Sequence, residues 1–240
     1  MSTTAGAHLP TLLTLRRIGA GAVLTVTAMT GPQALHRAGA DVCPNIDVVF
    51  ARGTLEPPGV GATGQAFVDA LNDHLAGRNI GVDPVDYPAS LNFQTAADGV
   101  ADAANRVSTT AANCPNTRIV LGGYSQGAAV AAYTTTDTIP DGYPLPDGIT
   151  GTLPPATAAH VAAVALFGKP SSGFLDLVDR NAPPIVIGHN YAGKTIELCA
   201  PGDPVCDPGG RDRAAHSSYK NNGMADQAAQ FVVNEMTPRD

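Results

Sequence analysis

The chain has 240 residues, 44% of them hydrophobic, and a formal charge of −7. That is enough apolar material for one compact domain with its own core. Its 21 acidic against 14 basic side chains repel a phosphate backbone, which speaks against nucleic acid as a partner.

The first 40 residues read as a separate piece. Arg16 and Arg17 precede an uncharged run from Ile18 to Met29, and Ala38-Gly39-Ala40 offers a small-residue cleavage site. This is the three-part pattern of a secretory leader, the alternative being a plain N-terminal extension. The run is shorter than the about 20 residues that span a bilayer, and the paired arginines leave both the general and the twin-arginine export routes open. A secreted mature domain over residues 41–240 is therefore expected. Residues 1–40 hold three arginines and no acidic residue, so this domain carries 11 basic and 21 acidic side chains, a charge of −10. It contains no second apolar run long enough to cross a membrane.

From Cys43 onward apolar and helical patterns alternate. Ile46 to Ala51 reads as a strand broken by Arg52-Gly53-Thr54. Gln65 to Leu75 places Phe67, Val68, Leu71 and Leu75 at helical spacing. A short strand lies within Ile80 to Tyr87, ended by Pro88. Gln94 to Thr110 puts Val100, Ala103, Ala104 and Val107 on one helical face. Arg118 to Leu121 is a strand, and Gly123-Tyr124-Ser125-Gln126-Gly127 follows it directly. Ala128 to Tyr133 is a small helical stretch. Strand, sharp turn and helix with a serine at the apex is the arrangement of a nucleophile elbow. Gly-x-Ser-x-Gly is a weak signal alone; its position here gives it weight. Thr138 to Pro155 reads as a long surface loop. Val161 to Phe167 is nearly all apolar, as a strand covered on both faces should be. Ile185 to Ile187 and Thr195 to Leu198 are further strand candidates, and Met224 to Met236 closes the chain as an amphipathic helix. The alternation implies an α/β fold with a mainly parallel sheet, and a site beyond the carboxyl ends of its strands.

Four cysteines, Cys43, Cys114, Cys199 and Cys206, all fall in the mature part. In an exported chain they read as two disulfides. The short spacing of Cys199 and Cys206 favours a local clip, leaving Cys43 with Cys114. The alternative, a zinc site, lacks the usual ligand spacing of two to four residues, and no metal is expected.

A serine hydroxyl needs a base to take its proton and a carboxylate to orient that base. His8 and His36 lie in the leader, His74 on a helix, and His160 and His189 beside strands. The hydrolase order of serine, acid, histidine selects His216. Asp203, inside the Cys199–Cys206 loop, is the leading acid, with Asp207 and Asp212 as competitors and an ordinary Gly-Asp-Pro turn as the plain alternative.

Phe50-Ala51-Arg52-Gly53-Thr54, Gly123 to Gly127, the clip around Asp203 and Ala215-His216 together resemble the cutinase family of serine esterases, especially its actinobacterial cutinase-like members. The match runs from Cys43 to Glu235. The resemblance implies a small lidless α/β-hydrolase fold. It implies Ser125 as nucleophile, His216 as general base, Asp203 as orienting acid, and the pairings Cys43–Cys114 and Cys199–Cys206. It also implies an oxyanion hole formed by the backbone N–H of Gln126 and by Thr54, through its N–H and side chain. No cofactor, an ester or lipid substrate and a monomer are expected. Fungal cutinases carry an apolar loop before the histidine. Here Asp207 to Ala215 is charged instead, although the opposite rim keeps Leu91 and Phe93. Charged rims disfavour bulk lipid, so short-to-medium acyl esters are expected. Acetylxylan esterase, phospholipase and thioesterase activities on the same fold remain alternatives, as does a non-catalytic secreted binding protein.

Overall fold

In a computed structural model, the structure describes residues 43–140, 145–147 and 149–237. The expected leader over residues 1–40 lies outside the described residues. Five parallel strands form one sheet in the order β2-β1-β3-β4-β5. They are β1 Ile46–Ala51, β2 Ile80–Pro84, β3 Arg118–Tyr124, β4 Val161–Phe167 and β5 Thr195–Leu198. Parallel pairing requires crossovers, and helices supply them, covering both faces of the sheet.

The strand alternation decides which side chain joins which half of the core. From β1, Ile46, Val48 and Phe50 meet Phe67 and Leu71 of α1 (Gly61–His74) and Ala228 and Val232 of α8 (Met224–Met236). On the other face Val49 and Ala51 of β1, with Ile119 and Leu121 of β3, meet Ala103 and Val107 of α2 (Ala96–Asn113) and the small residues of α3 (Gln126–Thr134). Alanines let α3 lie close against the sheet, and eight of its nine residues are buried.

Two expectations are corrected. Ile185 to Ile187 is no strand: Pro183 and Pro184 just before it remove two donors, and β5 already pairs with the available edge of β4. Both isoleucines instead pack half-buried against the core. Helix starts also come earlier or later than the apolar pattern suggests, α1 at Gly61 rather than Gln65 and α2 at Ala96 rather than Gln94. Four short helices, α4 Pro155–Ala158, α5 Ser172–Val178, α6 His189–Ala192 and α7 Arg213–His216, fall in stretches without a periodic signal.

Both disulfides form as paired above, Cys43–Cys114 with Cα atoms 5.6 Å apart and Cys199–Cys206 with 5.8 Å. The long bridge ties the lead-in to β1 to the end of α2, at the edge of the sheet opposite Ser125. Loop closure over 71 residues is worth about 4 kcal/mol. Cys43→Ser with Cys114→Ser is therefore expected to lower unfolding stability by about 4 kcal/mol while leaving the site's geometry in place. Denaturant titration beside a 25 °C activity assay checks both halves of that statement.

Candidate functional site

β3 delivers Ser125 to the carboxyl edge of the sheet in a left-handed conformation, φ 57°. The turn is tight enough that its flanking residues have no room for side chains. A Cβ on Gly123 would lie 2.0 Å from the Gly127 carbonyl oxygen, and one on Gly127 would lie 2.0 Å from that of Ala51. This is why the pattern needs glycine at both positions. The strained apex is held by the Ser125 N–H, which donates to the Phe167 carbonyl at the end of β4 (2.9 Å).

The hydroxyl that this turn presents lies 2.9 Å from Nε2 of His216. His216 ends α7, whose first turn is capped by Asp212 accepting from the Ala214 N–H (2.8 Å). The Tyr124 hydroxyl donates to the His216 carbonyl (2.5 Å), and the Tyr124 ring lies 5.1 Å from the imidazole, centroid to centroid. On the far side of the imidazole, Nδ1 lies 2.9 and 2.8 Å from the two carboxylate oxygens of Asp203. The structure thus brings Ser125, His216 and Asp203 into one connected relay.

Asp203 is fully buried. Burial pushes its carboxyl up, but donation from His216, from the Tyr219 hydroxyl (2.5 Å) and from the Val205 N–H (2.8 Å) outweighs it, and the group ends below the usual carboxylate range. An ionised carboxylate only accepts, so Nδ1 carries the imidazole proton and Nε2 is left to accept from the Ser125 hydroxyl. The competing acids have local duties: Asp207 accepts from the Gly202 N–H (2.8 Å) and Asp212 caps α7. His74 pairs with Asp226 (2.7 Å) and His189 with Asp137 (2.9 Å).

Tyr219 was not singled out by the sequence. It is fully buried, its hydroxyl accepts from the Ala200 N–H (3.0 Å) while donating to Asp203, and burial followed by that bond pushes its own ionisation well up. It therefore stays a donor and ties the acid to the clip. A tyrosine three residues after a candidate histidine carries no periodic or motif signal, so only the fold brings it forward.

Thr54 follows β1 and reaches the same edge. Its loop is braced from beneath by Arg52, which donates to the carbonyls of Glu56 (2.9 Å), Val85 (3.3 Å) and Tyr87 (2.5 Å). Glu56 accepts from the Gly53 N–H (2.7 Å) and the Ala62 N–H (2.8 Å). Among the described residues, neither the N–H nor the hydroxyl of Thr54 has a hydrogen-bond partner. Gln126 opens α3, so its N–H has no partner within the helix. Its side-chain Nε2 donates to the Ser90 carbonyl (3.0 Å), which pins the Ser90 to Thr95 turn beside the elbow. Leu55 and Leu91, in the loops after β1 and before α2, are exposed, and so are Arg211, Asp212 and Arg213 just before His216. Among the described residues, no group of three His, Cys, Asp or Glu side chains is placed to hold a metal ion, and no helix is long and apolar enough to cross a membrane.

The family model described as Cutinase matches residues 42–236. Carboxylesterase Culp1 of Mycobacterium tuberculosis is 46% identical over 92% of this chain and 95% of its own length. Phospholipase Culp4 of the same organism is 45% identical over 90% of this chain and 88% of its own. Among solved structures, Trichoderma reesei cutinase in complex with a C11Y4 phosphonate inhibitor is similar with a TM-score of 0.60 and 32% identity, covering 82% of this chain and 78% of that one.

Proposed function

Because the chain belongs to the cutinase family and is a carboxylic ester hydrolase, we propose that it works through Ser125, His216 and Asp203 by way of an acyl-enzyme. What supports the assignment is the closed relay: a strained serine at a strand end, 2.9 Å from an imidazole nitrogen whose partner nitrogen faces an ionised, buried carboxylate.

Ser125 Oγ attacks the ester carbonyl carbon as its proton passes to His216 Nε2. The carbonyl oxygen becomes an oxyanion and takes hydrogen bonds from the Gln126 N–H and from Thr54. One such donor is worth about 2.7–4 kcal/mol to the transition state. The intermediate collapses, the bond to the leaving oxygen breaks, and His216 gives its proton to the departing alcohol. Water then enters, loses a proton to Nε2 and attacks the acyl carbon; the acid leaves and Ser125 recovers its proton. Asp203 holds the Nδ1 proton throughout and stabilises the imidazolium.

We also assign residues 1–40 as an export leader and the mature domain as secreted, in keeping with two disulfides in one compact domain. The charged stretch at Arg211 to Arg213 favours dispersed short-to-medium acyl esters over bulk lipid. A relative named as a phospholipase at 45% identity makes a phospholipid head group the second reading. A panel of p-nitrophenyl butyrate, acetylated xylan and dispersed phosphatidylcholine separates them. Highest kcat/KM on the simple ester is expected. Higher kcat/KM on phosphatidylcholine would transfer the assignment to a phospholipase, and activity confined to acetylated xylan would transfer it to a carbohydrate esterase.

A further inference from the structure

The fold gathers three polar neighbours around the hydroxyl of Tyr219. It accepts from the Ala200 N–H (3.0 Å), donates to Asp203 Oδ2 (2.5 Å) and has Cys206 Sγ 3.3 Å away. Asp203 and Tyr219 are both fully buried. The backbone at the end of β4 closes over them: a Cβ on Gly168 would lie 3.0 Å from the Tyr219 hydroxyl and 3.1 Å from Asp203 Oδ2. Packing alone does not call for this hydroxyl. A phenylalanine would fill the same space against Tyr124 and Phe167, whose ring centroids lie 5.7 and 6.2 Å away, with no polar group to desolvate.

The hydroxyl stands in a chain of bonds that ends at the reacting oxygen. The Ala200 N–H donates to Tyr219, Tyr219 and His216 Nδ1 donate to Asp203, and Ser125 donates to His216 Nε2. Each bond polarises the next, so a phenol that accepts from an amide is a stronger donor to the carboxylate. Oδ2, the oxygen that Tyr219 holds, is also 2.8 Å from Nδ1. The phenol and the imidazole therefore draw on the same negative charge. The more of it the phenol takes, the less the carboxylate favours an imidazolium at His216. The other charged and titratable groups of the neighbourhood are engaged elsewhere. Asp207 and Asp212 accept from the N–H groups of Gly202 and Ala214, and Lys169, after β4, pairs with Glu197 of β5 (2.9 Å). Tyr124 of β3 donates to the His216 carbonyl, and Glu56, after β1, accepts from Gly53 and Ala62. Arg211, Arg213 and Lys220 are exposed.

We propose that Tyr219 is a positioning residue of the relay, which fixes Asp203 and through it sets the basicity of His216. The proposal rests on the Ser125, His216 and Asp203 mechanism above and adds a fourth side chain to it. Tyr219 acts only through the carboxylate. Oδ1 is held by the Val205 N–H (2.8 Å) and Oδ2 by the phenol, so the plane of the carboxylate cannot turn away from the imidazole. Burial keeps the phenol protonated, and it goes on donating while His216 gains and loses its own proton. When His216 is charged, Nδ1 takes the larger share of the carboxylate; when His216 is neutral, the phenol does.

Tyr219→Phe removes the bond to Oδ2 and keeps the ring. The acid limb of kcat/KM on p-nitrophenyl butyrate reports the base of the free enzyme. It is expected to move to higher pH by about half a unit, because the carboxylate then favours the imidazolium more. On the plateau kcat is expected to fall roughly tenfold, with KM little changed. Incorporating ortho-fluorotyrosine at position 219 keeps the ring in place and makes the phenol a stronger donor, so the same limb is expected to move to lower pH. Thermal melts establish that each protein is folded. A double-mutant cycle reads the path of the effect, with the rate of fluorophosphonate labelling of Ser125 as its measure. Tyr219→Phe is expected to slow labelling about tenfold in the wild-type background and less than about twofold beside Asp203→Asn, where the carboxylate it acts through is gone. A limb that stays put in the fluorotyrosine protein, or equal slowing in both backgrounds, would overturn the Tyr219 assignment and leave the relay standing. Undiminished labelling and turnover in folded Asp203→Asn would overturn the relay, and the Tyr219 assignment with it.

Discussion

Ser125→Ala is expected to lower kcat about 10⁶-fold, the scale seen when the nucleophile of a serine hydrolase is removed. The substitution deletes one oxygen, whose hydrogen-bond partner is His216 Nε2. The elbow itself is held by backbone, through the Ser125 N–H to the Phe167 carbonyl and the close approach of Gly127 to β1. Alanine meets the same left-handed backbone penalty as serine, so unfolding stability is expected to stay within about 0.5 kcal/mol. A folded alanine variant with ordinary turnover would mean that Ser125 is not the nucleophile.

Asp203→Asn is expected to lower kcat about 10⁴-fold by a different route. The carboxylate is surrounded by donors from His216, Tyr219 and Val205. An asparagine amide offers one acceptor oxygen and one donor group, so a donor now faces a donor. If the amide donates to Nδ1, the imidazole proton moves to Nε2 and the base can no longer accept from Ser125. Stability falls too, with a definite pH dependence. The folded carboxyl titrates below its ordinary range, so its contribution is present above the unfolded value of about 3.9 and is lost as pH falls through the lower folded value. The stability gap between wild type and Asp203→Asn is therefore expected to be full at neutral pH and to narrow in acid below about pH 4. Denaturant titrations at the two pH values measure it, and a gap that widens in acid would contradict the assigned ionisation.

The sheet and the elbow were legible for local reasons. Val161 to Phe167 is apolar throughout because both faces are covered, and Gly123 and Gly127 mark a turn whose sterics admit no Cβ. His216 and Asp203 were legible through chain order and through the clip, with the family pattern deciding between Asp203 and its neighbours. Long-range polar contacts left no such trace. Tyr219 reaches Asp203 across 16 positions and Arg52 reaches Tyr87 across 35, and no local pattern encodes either. Ile185 to Ile187 misled because an apolar triplet looks alike whether it pairs in a sheet or lies against one. Helices as short as α7 form through caps and tertiary contacts, below the length at which apolar periodicity is readable.

A fluorophosphonate that phosphonylates an activated serine hydroxyl tests the central claim most directly. Intact mass followed by peptide mapping is expected to show one adduct, on Ser125, with labelling strongly slowed in the Asp203→Asn variant. A folded protein that takes no label, or takes it on another serine, would contradict the account.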